Sequence, residues 1–147
     1  MKFRMTTDLD SSIYKDALDI RRAVFINEQH VEESLEIDEL ENQTVHLVGY
    51  LNETPCCTAR LYKKPDHSLK IQRVAVLKEY RDKKLGKDLL AKIESLAEVH
   101  WQSSLMVLDS QDHAIPFYKS CGFEVSGDGF LDAGIPHHFM YKKITEQ

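Results

Sequence analysis

The chain has 147 residues, a formal net charge of -5 and an apolar fraction of 42%, so we expect a single globular domain over residues 1–147. The mild acidity argues against a nucleic-acid partner, and the lack of both an apolar run of roughly 18 residues and a signal sequence argues against a membrane partner. Three cysteines without CxxC spacing form neither a disulfide framework nor a zinc site, which suits a cytoplasmic protein. No metal is expected, because His137 and His138 lack a defined third ligand and the acidic residues do not follow calcium-loop spacing.

The first half of the chain alternates between strand and helix patterns. Residues 2–6 have the pattern of a strand, and Ser11 or Ser12 can cap a helix that runs to about Glu28. Seven acidic residues and no Lys or Arg occupy residues 28–41, the acidic block. Three strand-like runs follow and predict an antiparallel meander, at residues 44–51, 56–63 and 69–77.

The second half of the chain begins with a basic turn. Residues 77–92 carry six basic and three acidic residues, and an apolar stripe predicts that a helix starts within this turn. A buried strand at 104–109 and a brief helix follow, and we expect Asp112 to cap that helix and Gly122 to end it. A closing strand at 137–144 completes an α/β (α+β) arrangement around a mixed sheet.

The basic turn has the features of a phosphate-binding site. A helix N-terminus presents unpaired backbone N–H groups and the positive end of the helix dipole. Lysines at this end oppose the dipole at a cost of roughly 0.3–1 kcal/mol each, so a bound anion explains Lys83, Lys84 and Lys87 better than a solvated turn does. A P-loop does not fit, because Arg81 and Asp88 replace its first glycine and its hydroxyl residue.

Two segments resemble the GCN5-related N-acetyltransferase (GNAT) family. Arg81 and Gly86 match the two ends of its acyl-CoA motif (R/Q)xxGx(G/A), and Lys84 replaces the middle glycine. Residues 110–123 resemble its NxxAxxxYxxxGF segment, with Gln111 in place of the asparagine. With residues 21–31 and 132–142, which resemble a branch of small bacterial acetyltransferases, the likeness spans nearly the whole chain. It implies a GNAT-type mixed, mostly antiparallel sheet flanked by helices, with two splayed central parallel strands.

The resemblance implies direct transfer of an acetyl group from acetyl-CoA to the primary amine of a small molecule or peptide. It assigns acetyl-CoA binding to Val74, Ala75, Val76, Arg81, Asp82, Lys83, Lys84, Leu85, Gly86, Lys87, Gln111 and Tyr118. The chain has no GxSxG elbow, which agrees with a path without an acyl-enzyme. A non-catalytic acyl-CoA-binding sensor is the alternative, and either a monomer or a homodimer is expected.

Three further side chains are candidates for the chemistry. Tyr118 is either the acid that protonates the departing thiolate or a core residue, and Glu28 is either the catalytic base or an exposed helix-end carboxylate. His137 and His138 point to opposite faces of a strand, so we assign only His138 to substrate binding; a surface histidine is the other interpretation. The acidic block is either a solvated surface or a field that attracts cationic amines.

Overall fold

Eight strands and four α-helices form the part of the chain that the computed structural model describes, residues 1–144. The strands are Lys2–Thr6 (β1), Val45–Leu51 (β2), Thr54–Lys63 (β3), Leu69–Val76 (β4), Leu105–Gln111 (β5), Glu124–Val125 (β6), Phe130–Asp132 (β7) and Ile135–Lys143 (β8). The helices are Ser12–Arg21 (α1), Glu33–Glu36 (α2), Leu85–Ser95 (α3) and Ile115–Ser120 (α4). No helix within residues 1–144 is long and apolar enough to cross a membrane.

The strands form one sheet in the order β1-β2-β3-β4-β5-β8-β6, and β7 pairs with β8. β1 with β2, β2 with β3, and β8 with each of β5, β6 and β7 pair antiparallel. β4 and β5 pair parallel over three residue pairs, from Leu69–Met106 to Ile71–Leu108. Further along β4, Arg73 has a φ of 55°, which interrupts the extended backbone. The predicted mixed, mostly antiparallel sheet with a parallel pair is confirmed.

The chain groups into two compact units, each discontinuous in sequence. The first contains Met1–Tyr62 and Arg73–Leu89, and the second contains Lys63–Gln72 and the segment from Leu90 onward. Because a discontinuous unit needs both of its segments to complete its contacts, neither unit corresponds to a separable stretch of sequence. The single-domain organisation stays a prediction.

In the first unit, helix α1 begins where the sequence pattern indicated. The Ser11 hydroxyl accepts a hydrogen bond from the Ile13 N–H at 3.0 Å and so caps the helix. The helix continues as a wider π-helical segment, Arg22–Glu28, so the predicted end at Glu28 is confirmed. Its apolar residues pack with those of β2 in one core, which contains Ala17, Ile20, Val24, Phe25, Val48, Tyr50 and Ala75.

In the second unit, the short helix α4 differs in part from the prediction. Gly122 has a φ of 96° and ends the helix, as expected, with the Phe123 N–H donating to the Tyr118 carbonyl at 3.0 Å. Asp112 is not the cap: it begins a 3-10 turn, Asp112–Ala114, that precedes α4. Its carboxylate instead contacts His138 on β8. A capping rule considers only neighbouring residues, so it could not predict a partner 26 residues away.

Candidate functional site

The loop before α3 has a backbone shape suited to an anion. Asp82 and Lys84 have left-handed φ angles of 65° and 62°, whereas Lys83 between them does not. Alternating handedness turns successive N–H groups toward one side and forms an anion-binding nest. Lys84 stands where the GNAT motif has glycine, and a left-handed residue with a side chain costs about 1–2 kcal/mol. The loop therefore keeps the backbone conformation that the motif glycine would adopt more easily.

The charges around this loop also favour an anion. Lys83, Lys84 and Lys87 are exposed, and the Lys83 ammonium lies 5.7 Å from the centre of the Tyr80 ring. Leu85 is buried and anchors the first turn of α3. Exposed ammonium groups beside free helix N–H groups complement a phosphate. The first unit thus contains a backbone and charge arrangement that fits the pyrophosphate of an acyl-CoA.

Arg81 and Glu28, for which the sequence predicts different roles, form one ion pair. The Arg81 guanidinium donates to both Glu28 carboxylate oxygens, at 2.7 and 3.1 Å. Its Nε also donates to the Val76 carbonyl at 3.0 Å, which ties the pair to the end of β4. The hydrogen bond from Arg81 lowers the pKa of Glu28. This contact weakens Glu28 as a proton acceptor and makes it part of the support for the loop.

Tyr118 lies in the second unit, on α4, with its side chain buried. Its ring packs edge-on against Phe117 and Phe123, with ring centres 5.1 and 5.9 Å away. Burial raises the pKa of the Tyr118 phenol, because a phenolate is poorly solvated in an apolar site. The hydroxyl is therefore protonated at neutral pH and is able to donate a proton.

The two neighbouring histidines of β8 have different surroundings. His137 is buried, its Nδ1 lies 2.7 Å from the Ile135 carbonyl, and its ring stacks on Phe130. His138 is partly exposed, and its Nδ1 lies 2.6 Å from Asp112 Oδ1. In the register of β5 with β8, His138 is opposite Ser110 and His137 is opposite Gln111. Of the two histidines, His138 is therefore the one whose side chain is partly accessible to solvent.

A buried Arg–Glu cluster in the first unit was not predicted from the sequence. Arg21 donates to Glu36 and Glu41 at 2.7 Å each, and Arg60 donates to Glu41. We call these four residues the buried Arg–Glu cluster; each is at most 5% exposed. Arg60 lies in the middle of an apolar strand run. A charged residue in such a run is buried with its strand and needs a partner of opposite charge, so this position was a sequence signal for a buried ion pair.

The buried Arg–Glu cluster connects the acidic block to the strand that precedes the basic loop. Arg73, the residue with the left-handed φ on β4, forms ion pairs with Glu36 at 3.0 Å and with Asp38 at 3.2 Å. Its guanidinium also donates to the Leu35 carbonyl. The acidic block is thus partly structural, because Glu36, Asp38 and Glu41 neutralise arginines of the same unit. Glu32, Glu33 and Glu39 remain exposed.

The cysteines of β3 are poor nucleophiles in this environment. Cys56 and Cys57 are fully buried. Burial raises the pKa of both thiols, that of Cys57 to about 12. Because the thiolate is the reactive form, neither residue is suited to carry an acyl group at neutral pH. Among the described residues, no three His, Cys, Asp or Glu side chains are grouped so as to hold a metal ion.

Comparison with known proteins identifies the family. Residues 10–144 match the family described as an acetyltransferase (GNAT) domain. This chain belongs to the GNAT acetyltransferase family. It is 41% identical over 129 residues to the uncharacterized N-acetyltransferase YjcF of Bacillus subtilis, covering 87% of this chain and 91% of that protein. The family resemblance predicted from the two motifs is confirmed.

Two solved structures have the same fold as this chain. The crystal structure of Escherichia coli ElaA is 28% identical, with a TM-score of 0.84 over 96% of this GNAT chain and 98% of that chain. A Bacillus subtilis acetyltransferase crystallised in complex with CoA has a TM-score of 0.71 over 98% of this chain and all of that chain. At 15% identity the second likeness shows the fold alone.

Proposed function

We propose that this GNAT chain transfers an acetyl group directly from acetyl-CoA to a primary amine of a small molecule or peptide. The observation that carries the proposal is the loop between β4 and α3. Its left-handed residues Asp82 and Lys84 and its exposed lysines suit a pyrophosphate. The protonated phenol of Tyr118 and the high pKa of the β3 thiols support transfer without an acyl-enzyme.

The proposed binding mode uses backbone groups as much as side chains. The backbone of Val74–Val76 would pair with the pantetheine amides, and the loop from Arg81 to Lys87 would hold the pyrophosphate. Gln111 and Tyr118 complete the set that the family motif assigns to acetyl-CoA. An N–H at the end of β4 would stabilise the negative charge that develops on the thioester oxygen. Arg81 supports this strand end through its bond to the Val76 carbonyl.

The proposed chemistry is a single displacement at the thioester carbonyl. The neutral amine nitrogen attacks the carbonyl carbon, so that a C–N bond forms and the C–S bond breaks. Tyr118 gives its proton to the departing thiolate, and a base takes the proton that the amine loses. Glu28 was the candidate base in the sequence, with an exposed helix-end carboxylate as the other interpretation. Glu28 would have to release Arg81 before it accepted a proton. Its contacts therefore favour a structural role, in the ion pair with Arg81, over the role of base.

The proposed acceptors are cationic amines. Glu32, Glu33 and Glu39 are exposed members of the acidic block, and exposed charges of one sign raise the local concentration of oppositely charged substrates. Glu33 also pairs with Arg22 at 3.1 Å, so Glu32 and Glu39 are the carboxylates on which this steering mainly rests. The preference should decline at high salt, because the Debye length is about 8 Å at physiological ionic strength.

The test of the proposed function is an acceptor screen with acetyl-CoA. Polyamines, amino sugars, amino acids and peptides should be tested, with the acetylated product detected by mass spectrometry and CoA release measured in parallel. We expect amine-dependent product, with cationic acceptors above acidic ones. A reaction without amine measures background hydrolysis. Tight acetyl-CoA binding without product from any amine would contradict the proposal and support the acyl-CoA-binding sensor instead.

The double variant Lys83→Ala/Lys87→Ala should weaken acetyl-CoA binding about tenfold at low salt. The two ammonium groups flank the proposed pyrophosphate site and are exposed, so each contributes a modest, salt-sensitive attraction of up to about 1 kcal/mol. Isothermal titration calorimetry at two salt concentrations measures the effect. The variant Lys15→Ala/Lys143→Ala makes the same charge change at exposed positions outside the loop and should bind like the parent. Equal affinities for both variants would place the pyrophosphate elsewhere.

A further inference from the structure

The His138–Asp112 pair in the second unit has the geometry of a catalytic dyad. His138 Nδ1 lies 2.6 Å from Asp112 Oδ1, and the side chains are 28% and 44% exposed. The pair sits at the carboxyl end of β5, because His138 is in register with Ser110, the residue before Gln111. Gln111 belongs to the motif that the proposed function assigns to acetyl-CoA. The dyad therefore lies next to a position where the reacting groups are expected.

The chemistry of the pair determines which imidazole nitrogen is reactive. An ionised carboxylate only accepts hydrogen bonds, so Nδ1 of His138 carries the proton and donates it to Asp112. Nε2 is then the nitrogen with the free lone pair, which is the tautomer that a general base requires. The charge of Asp112 also stabilises the imidazolium that forms when Nε2 accepts a proton.

Gly129 lies against the Cε1 and Nε2 edge of the His138 ring. A Cβ atom built at residue 129 would lie 2.8 Å from Cε1 and 3.0 Å from Nε2 of His138. Such contacts are too short for a real side chain, and a side chain there would cover Nε2. The close packing at this position therefore requires glycine if the His138 ring is to keep its place beside Asp112.

We propose that His138 Nε2 is the general base of the acetyl transfer and that Asp112 is its positioning residue. This inference rests on the proposed function and changes the base from Glu28 to His138. Nε2 first takes one proton from the ammonium group, and the neutral nitrogen then attacks the carbonyl carbon. As the C–N bond forms and the C–S bond breaks, the thiolate takes the Tyr118 proton and the nitrogen loses its second proton to solvent. Solvent then removes the proton from His138 and restores that of Tyr118. Glu28 remains bound to Arg81 throughout.

The test compares two acceptors that differ in their need for a base. An alkyl amine is charged at pH 7 and must lose a proton before attack, whereas hydroxylamine is already neutral. His138→Gln should lower kcat for the alkyl amine roughly 100-fold, with an unchanged KM for acetyl-CoA, and should lower kcat for hydroxylamine much less. Asp112→Asn should give a smaller loss, of about tenfold, with the same dependence on the acceptor. Added imidazole should partly restore activity to His138→Ala.

The adjacent histidine provides the matched control. His137→Gln changes a neighbouring residue of the same type on the opposite face of β8, and any loss it causes should be equal for both acceptors. Melting temperature and acetyl-CoA affinity, measured for every variant, separate misfolding from lost chemistry. His138→Ala rescued by imidazole supports the proposal even if His138→Gln is unstable.

Three outcomes would overturn the proposal, and they are distinguishable. Equal losses for both acceptors in His138→Gln, without imidazole rescue of His138→Ala, would make the dyad structural. A higher KM for the amine at unchanged kcat would leave His138 as a substrate-binding residue, the role assigned from the sequence. If the parent protein acetylates neither acceptor nor any other amine, the proposed function fails, and the dyad proposal fails with it.

Discussion

Tyr118→Phe is expected to lower kcat by roughly 100- to 10,000-fold, with little change in KM for acetyl-CoA. The hydroxyl is proposed to act only as the C–S bond breaks, and burial holds the pKa of Tyr118 above its ordinary value, so the proton is available at neutral pH. Phenylalanine preserves the ring that packs against Phe117 and Phe123. Steady-state kinetics with an acceptor whose chemical step limits the rate provides the measurement.

Tyr141→Phe is the matched control for this prediction. The Tyr141 hydroxyl donates to Glu124 at 2.8 Å in the same unit, at a position with no proposed part in the chemistry. We expect its kcat to stay within about twofold of the parent, as for most surface substitutions. If Tyr118→Phe also kept the parental kcat, Tyr118 would be a packing residue and another group would have to protonate the thiolate.

Glu41→Gln should lower the free energy of unfolding by about 3–5 kcal/mol. The Glu41 carboxylate accepts hydrogen bonds from Arg21, Arg60 and Tyr14. Both arginines are about 1% exposed, so the variant leaves buried positive charge without its main partner. Urea denaturation followed by circular dichroism measures the loss. A loss below about 1 kcal/mol would show that the remaining carboxylates compensate.

Glu33→Gln is the control for burial. Glu33 also pairs with an arginine, Arg22, at 3.1 Å, but its side chain is 60% exposed. Exposed ion pairs contribute about 0–1 kcal/mol, so this variant should unfold nearly like the parent. Both variants replace a paired glutamate with glutamine. A larger loss of stability in Glu41→Gln than in Glu33→Gln would therefore be due to the burial of the Glu41 ion pairs.

The pH dependence of stability gives a second measurement of the Glu41 effect. Burial alone would raise the pKa of Glu41, but its bonds and charge interactions with Arg21 and Arg60 outweigh burial and lower it from 4.5 to about 2. Its stabilisation is therefore fully present above about pH 4.5 and is lost as the pH falls through about 2. Burial raises the pKa of Glu36, which acts in the opposite direction. In Glu41→Gln, the free energy of unfolding should therefore fall less than in the parent as the pH is lowered from about 4.5 to about 2.

The buried Arg–Glu cluster also bears on the proposed cofactor strand. Arg73 is bound to Glu36 and Asp38, and it immediately precedes Val74–Val76. Its left-handed φ is an uncommon conformation for a residue with a side chain and persists when surrounding contacts hold it. The cluster thereby supports the backbone from which the pantetheine amides would be bound.

Elements whose cause is local could be predicted from the amino-acid sequence. Helical spacing and the Ser11 hydroxyl specify where α1 begins, and Gly122 ends α4 because its φ of 96° suits a residue without a side chain. Apolar runs separated by turn residues specify the strands β2, β3 and β4. The two GNAT motifs were recognisable for the same reason, since each is a short, continuous segment whose backbone and charges can be interpreted without a partner.

Contacts between charged groups, by contrast, depend on how distant segments of the chain fold together. Glu28 and Arg81 are 53 residues apart, and Asp112 and His138 are 26 apart, so no local pattern joins them. Within each unit, strand order and register bring such residues together, and burial then determines their protonation. Glu41 belongs to the acidic block, for which a solvated surface was one prediction, and it is instead buried between arginines. Local patterns encode periodicity and turns, whereas the environment of a charge depends on residues that are distant in sequence.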